Sequence, residues 1–270
     1  MTTFGICEGT EVAAELNIDG SVLSGVGLVV FDKDGTLIDV HAYWANMVRL
    51  RSDIMGRRLN LSGKEISGLM EAMGVDVDRM RVKRTGPVGI KRRDVVLRAG
   101  ADYLHANGFG DQRDALVDAF AETDRLSVAR LDELIQPIDG LYALVNGLVA
   151  CGCRVAVATT DRTDRATLAL RHLKIASSID FVAGADIVNA PKPAPDILHL
   201  VCERLGVLVE HTVMVGDSVC DVQAGVNAGC QASVGVTSGL TEAQELREIT
   251  PLVVRSIADI TVACSPSIAE

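Results

Sequence analysis

The sequence predicts an α/β fold, a parallel-sheet core with an inserted all-helical segment, on three observations. From Pro137 onward, short apolar runs alternate with helical patterns, the rhythm of βαβ units whose strands are buried on both faces. Residues 40–136 instead carry long helical periods and almost no β-branched runs, as an all-helical insert would. Hydrophobic residues make up 48% of the 270-residue chain but aromatics only 3%. The interior is therefore left to Val, Leu, Ile and Ala, as in a covered parallel sheet rather than a β-sandwich.

Residues 1–26 show no clear period; Ala13, Ala14 and Leu16 fit a short helix or a loosely held arm. Leu28–Phe31 is an apolar run that delivers Asp32-Lys33-Asp34-Gly35-Thr36 at its carboxyl end. Strand alternation puts Asp32 and Asp34 on one side with Lys33 turned away, and Gly35 permits a sharp bend. Within the insert, Ser62-Gly63-Lys64-Glu65 has capping-box spacing, with Leu61 ahead and Ile66, Leu69 and Met70 behind on one face. A second helix carries Leu97, Tyr103 and Leu104 and stops at Asn107-Gly108. A third covers residues 115–134 and is opened by Asp111 or Asp114. Between the first two lies a basic loop, residues 79–93, punctuated by Gly86, Pro87 and Gly89.

Beyond Pro137 the expected order is a helix over 141–149, a strand over 154–159, a helix over 166–173 and a strand over 179–182. A helix after Pro195, a strand over 212–215, a helix over 219–228, a strand over 232–234 and a capping box over Thr241–Gln244 follow.

The net charge of −10 argues against a nucleic-acid partner for the chain as a whole. It is uneven, however: residues 40–136 hold 16 basic against 14 acidic residues, and the rest of the chain 10 against 22. With no basic residue before Lys33, the secretory and transit patterns are missing from the first thirty positions, and a cytoplasmic location is expected. The most apolar stretch, 141–160, is broken by Asn146, Gly147, Gly152 and Arg154, so no membrane span is expected. Seven cysteines, an odd number without secretory context, read as reduced thiols. Cys151 and Cys153 read as core packing rather than a metal pair.

Four strand ends present polar side chains: Asp32 with Asp34, Thr159 with Thr160, Lys192 in a Pro-Lys-Pro loop, and Gly216-Asp217-Ser218 followed by Asp221. Taken singly, these are a turn, a helix N-cap, a rigid loop and an acidic helix start. Together and in this order they specify a phosphate site. Carboxylates gathered at one point repel one another unless a cation sits among them, and oxygen-only ligands make Mg2+ the natural choice.

The four motifs in this order resemble those of the haloacid dehalogenase superfamily, and residues 28–246 are similar to its phosphoglycolate phosphatase branch. The resemblance implies a Rossmann-like core made of residues 1–39 and 137–270 with a C1-type helical cap of residues 40–136. It implies a Mg2+-dependent phosphatase of small phosphomonoesters, phosphoglycolate or sugar phosphate in type. Asp32 would be the nucleophile and Asp34 the general acid and base. Mg2+ would bridge Asp32, the Asp34 backbone carbonyl and Asp217, with Asp221 behind them. Thr159 and Lys192 would grip the transferring oxygens together with backbone N–H groups beside Gly35 and Thr160. Where the family often has Asn, this chain has Thr160. Arg84 and Lys91, which flank the glycines of the basic loop, are the cap's candidates for substrate contact, against a solvated charged face. One of His41, Tyr43 and Trp44, where the chain enters the cap, is expected to line the substrate pocket, with hinge packing the alternative for Trp44.

A phosphomutase that passes the same aspartyl-phosphate to a second hydroxyl is the first alternative; a non-enzymatic protein that binds through the basic loop is the second. The expected partner is a small phosphorylated metabolite, with no nucleic acid and no membrane, and the chain is expected to be a monomer or homodimer.

Overall fold

The computed structural model of the chain describes residues 14–264. It opens with an antiparallel hairpin, β1 (Ala14–Ile18) and β2 (Ser21–Val26), turned at Asp19 and Gly20, both at positive φ. Two positive-φ residues match the twist of the flanking strands, so this turn closes a hairpin without splaying it. β3 (Leu28–Phe31) follows, and then the insert: α1 (Val40–Leu59), α2 (Gly63–Ala72), β4 (Val75–Asp76), β5 (Arg81–Val82), α3 (Arg93–Ala106), α4 (Arg113–Ala129) and a short α5 (Leu131–Leu134). The chain continues with α6 (Leu141–Ala150), β6 (Arg154–Ala158), α7 (Thr163–His172), β7 (Phe181–Ala183), α8 (Asp196–Leu205) and β8 (Thr212–Gly216). It ends with α9 (Val219–Ala228), β9 (Ala232–Val236), α10 (Ala243–Arg247), β10 (Val253–Val254) and β11 (Ile260–Cys264).

Six strands form the central sheet in the order β10-β9-β8-β3-β6-β7, with every neighbouring pair parallel. β3 sits in the middle, between β6 and β8, where chain direction around the sheet reverses and ligands of open α/β sheets bind. Alternation along β3 sends Val29 and Phe31 to one apolar cluster and Leu28 and Val30 to another. α8 and α9 cover the Leu28 face; α6, α7 and the sheet β11-β1-β2 cover the Phe31 face. The insert helices bury a third cluster of their own, including Met55, Leu69, Leu104 and Phe120.

Several expectations change here. Ala14 and Leu16 belong to a strand, not a helix or an arm, because β11 returns from the far end of the chain to pair β1 from Ala14↔Cys264 to Ile18↔Ile260; Ala13 lies outside the described residues. The insert is not all-helical, since β4 and β5 form a two-residue antiparallel pair. The 115–134 helix breaks at Arg130, giving α4 and α5, and Gln112 rather than either aspartate precedes α4. The last capping box forms one residue later than expected, between Glu242 and Glu245. The box at Ser62 and Glu65 forms as expected.

The reading of all cysteines as thiols is also corrected. Cys151, just past α6, is disulfide-bonded to Cys264 at the end of β11, with their Cα atoms 4.8 Å apart. The pairing of β11 beside β1 and over α6 brings together sulfurs separated by 113 residues. Cys153 is buried and unbridged, in keeping with core packing. No helix of the described residues is long and apolar enough to cross a membrane.

Candidate active site

The site lies at the carboxyl ends of the central strands. The Asp32 backbone N–H donates to Val215 O at 2.8 Å, which holds the residue at the mouth of the β3–β8 ladder. The residue is 6% exposed, and its Oδ1 accepts from Lys192 Nζ at 2.7 Å. The same ammonium donates to Ala158 O at 2.8 Å and contacts Asp221 Oδ1 at 2.5 Å. An ammonium has three donors, and all three go to protein acceptors. Lys192 therefore orients Asp32; in this arrangement no donor is left over for the transferring oxygens that the sequence reading gave it.

Asp221 is 2% exposed and engaged through both oxygens. Oδ2 accepts from the Ser218 N–H at 3.0 Å and the Ser218 hydroxyl at 2.6 Å, closing the capping box that starts α9. Oδ1 faces Lys192. The residue thus couples a helix start to the lysine that positions Asp32.

Asp217 follows β8 and is 8% exposed. Its Oδ2 accepts from the Leu240 N–H at 3.3 Å. Two glycines make room for it: Gly35, at φ +90°, and Gly239 each lie where an added Cβ would collide with the Asp217 carboxyl group. One carboxylate oxygen from each of Asp32, Asp217 and Asp221 lies within 4.8 Å of the others. Burial, with the neighbouring carboxylates, pushes the Asp32 carboxyl up to about 7 despite Lys192, and Asp217 up to about 8. Buried carboxylates held this close without full compensation, in an oxygen-only donor set, suit a hard divalent cation. Asp32 and Asp217 offer the freer oxygens.

Lys33 departs from expectation. β3 ends at Phe31, so strand alternation no longer governs the next residues, and the Lys33 ammonium folds back onto both Asp34 oxygens at 2.7 Å. It also reaches Asp161 at 3.5 Å. Burial would lower the Lys33 pKa, but Asp34 and Asp161 hold it above the usual lysine value. Asp34 and Lys33 open onto a cavity of about 400 Å³ between α7 and the insert, lined also by Tyr43, Ser127, Leu131 and Arg165.

Thr159 is 1% exposed; its hydroxyl accepts from the Asp161 N–H at 3.2 Å and its own N–H donates to Ala183 O at 2.9 Å. Thr160 is exposed beside it. The Gly35 N–H is spent on Ile38 O at 2.8 Å, while those of Asp34 and Thr160 have no acceptor among the described residues. They are the better donors for an anion.

The structure brings Tyr43 to the cavity, but not Arg84 or Lys91. Arg84, in the insert, is paired with Glu242 at the start of α10, and Lys91 is exposed to solvent. Trp44 packs edge-on to Tyr43, with ring centres 5.2 Å apart, and joins the insert's apolar cluster.

A fifth strand end went unread in the sequence. After β9, Ser238 donates to Gly35 O at 2.7 Å, Gly239 O bonds His41 Nε2 at 3.1 Å, and Leu240 holds Asp217. The Thr-Ser-Gly run at the end of a predicted strand was the available signal.

The family model for haloacid dehalogenase-like hydrolases matches residues 26–229, from the last residue of β2 to the residue that caps α9. This chain belongs to that family. Among relatives, it is 28% identical over 236 residues to the phosphoglycolate phosphatase of Caulobacter vibrioides, covering 87% of this chain and 90% of that protein. It is 32% identical over 133 residues to the pyrophosphatase PpaX of Halalkalibacterium halodurans, a match of 49% of this chain and 61% of that protein. Solved folds agree. A Thermotoga maritima protein provisionally named a β-phosphoglucomutase superposes with a TM-score of 0.62 at 22% identity, covering 87% and 96% of the two chains. A haloacid dehalogenase family hydrolase from Deinococcus radiodurans, solved with bound phosphate and sodium, gives 0.61 at 22% identity over 87% and 93%.

Proposed function

We propose that the chain is a Mg2+-dependent phosphatase of small phosphomonoesters working through an aspartyl-phosphate on Asp32. The observation that carries this reading is the placement of Asp32 at the end of β3, buried against Lys192 and beside Asp217 and Asp221. Asp34 stands two residues on, at the mouth of a cavity large enough for a leaving group. An Asp32 oxygen attacks phosphorus while the ester P–O bond breaks, and Asp34 donates its proton to the departing alkoxide. Water then attacks the phosphorus of the aspartyl-phosphate and gives its proton to Asp34, so inorganic phosphate leaves and both carboxyls return to their starting state. Lys192 keeps Asp32 aligned, and the Asp34 and Thr160 N–H groups face the oxygens whose charge grows in the transition state. Mg2+, held by Asp32 and Asp217, would supply charge compensation between an anionic nucleophile and an anionic substrate.

In this reading residues 40–136 are the cap, and their contribution is to wall the leaving-group cavity with Tyr43, Ser127 and Leu131. In the basic loop, Arg84, Arg92 and Arg93 are paired with Glu242, Asp94 and Asp124. The test is phosphate release from a panel of small phosphomonoesters with and without Mg2+, wild type beside Asp32→Asn and Asp34→Asn. Metal-dependent release that both substitutions abolish supports the mechanism. Release surviving in Asp32→Asn removes the nucleophile, and turnover only between sugar monophosphate and bisphosphate pairs makes the protein a mutase.

A further inference from the structure

Of the three carboxylates gathered at the site, Asp217 is the least firmly held. Asp32 is bonded to Lys192 at 2.7 Å, and Asp221 faces Lys192 while accepting from the Ser218 N–H and hydroxyl. The Asp217 side chain has one donor among the described residues, the Leu240 backbone N–H at 3.3 Å. A lone bond of that length orients a carboxylate weakly. The direction in which Asp217 points therefore depends on where Leu240 is held.

The loop after β9 that carries Leu240 is tied both to the turn after β3 and to the insert. Ser238 donates to Gly35 O at 2.7 Å. Gly239 O is bonded at 3.1 Å to Nε2 of His41, the second residue of α1, and Glu242 is paired with Arg84. Leu240 directs its N–H at Asp217 while its side chain packs into the insert's apolar cluster, to which Trp44 also belongs. Gly89, in the insert, fits against both: a Cβ built there would lie 3.0 Å from a Leu240 methyl carbon and 3.1 Å from the Trp44 ring. The two chain connections of the insert run together where Ile38 bridges Pro137, so this loop is a separate, non-covalent tie.

We propose that Leu240 is a positioning residue for Asp217, and that through it cation binding and the seating of the insert are one coupled equilibrium. An insert packed on Leu240 holds the N–H against Oδ2 of Asp217 and leaves Oδ1 for the cation. Linkage makes the effect reciprocal: whatever seats the insert tightens the cation, and the cation seats the insert by the same factor. The proposal rests on the cation centre of the phosphatase reading and adds a residue that touches neither cation nor substrate. Charge compensation at Asp32 is then strongest when the insert stands over the leaving group.

The probe is Mg2+ alone, and the reporter is Trp44, the one tryptophan of the chain. Mg2+ is titrated into substrate-free wild type, Leu240→Ala, Leu240→Met, Gly89→Ala and Asp217→Asn, with binding read by calorimetry and the insert by Trp44 emission. In wild type the emission change saturates with the calorimetric Kd. Asp217→Asn abolishes it, which separates it from an ionic-strength effect. Leu240→Ala keeps the backbone N–H and deletes the anchor, so Kd rises at least fivefold, the low end of coupling between sites, and the emission change is lost. Leu240→Met restores most of both. Gly89→Ala changes only the insert, yet it also raises Kd, because its methyl group crowds Leu240 and Trp44. Thermal melts in EDTA give the stability of each variant. A destabilised Leu240→Ala protein that binds Mg2+ with the wild-type Kd makes Leu240 a packing residue, and Mg2+ binding that leaves wild-type Trp44 emission unmoved uncouples the insert. Either result overturns the proposal and leaves the phosphatase reading standing. Wild type that binds no Mg2+ overturns both the proposal and the cation centre beneath it.

Discussion

Replacing Lys192 by methionine keeps an unbranched side chain one atom shorter and deletes its charge. In the structure this ammonium contacts Asp32 at 2.7 Å, Asp221 at 2.5 Å and Ala158 O at 2.8 Å, with 1% of the side chain exposed. The substitution leaves two buried carboxylates facing each other without a cation. Breaking a buried pair in this way costs about 3–5 kcal/mol, which for a chain of this size lowers Tm by roughly 10 °C. The cost depends on pH. Asp32 already titrates at about 7 in the fold, because burial outweighs Lys192; with the lysine gone its carboxyl rises further. A carboxyl whose folded pKa lies above its unfolded value binds extra protons when folded, so its contribution shrinks as pH rises. The variant therefore loses most relative to wild type near pH 8 and least near pH 5. Urea denaturation followed by circular dichroism at both pH values, in EDTA, measures it. A loss below about 1 kcal/mol at pH 8, or one equal at the two pH values, would refute the account of Lys192 as the counter-charge of this centre.

The remaining predictions concern the cation, the glycine that makes room for Asp217, the bridge and a helix cap. Without divalent cation, folding stability falls as pH rises from about 5 through the Asp32 and Asp217 values of about 7 and about 8. Thermal melts with Mg2+ show a flatter profile, and a metal-free Tm that climbs over the same range contradicts the carboxylate cluster. Gly239→Ala drives a methyl group into the Asp217 carboxylate, so Mg2+ produces a smaller thermal shift than in wild type; an unchanged shift shows that Asp217 can move aside. Cys264→Ser opens a bridge spanning 113 residues and costs about 4 kcal/mol in non-reducing buffer. In dithiothreitol the variant and wild type melt together. Ser62→Ala removes the N-cap of α2 and lowers stability by about 1 kcal/mol, read from the urea midpoint.

Legibility in the sequence followed locality. Asp32, Asp217 and Asp221 could be placed because each ends a strand or starts a helix within a few residues of its neighbours. The strand order around β3 then gathers them. Lys33 was misplaced because alternation was extended past Phe31, where the ladder stops. The first hairpin carries a local signal: Ala14, Leu16 and Ile18 alternate with Glu15 and Asn17 ahead of Asp19-Gly20, a strong turn signal. Its partner β11 was not readable, since no local pattern links Ile18 to Ile260. The Cys151–Cys264 bridge depends on that same pairing and was hidden with it. Arg51, buried on α1, belongs to a third class. A helix period does not tell which arginine on a mixed face ends up enclosed, because that depends on where α4 crosses α1.

The pairing of β1 with β11 also sets the order in which a growing chain can finish folding. β2 can join β1 as soon as both have left the ribosome. The Phe31 face of the central sheet, however, needs Ile257 and Ile260 to complete its cover. Until those residues emerge, the strands from β3 to β9 can be assembled while part of their apolar surface stays open to water and to other nascent chains. β11, synthesised after every strand of the central sheet, acts as the latch of β1, so a stall in translation just before it leaves that sheet in its stickiest form.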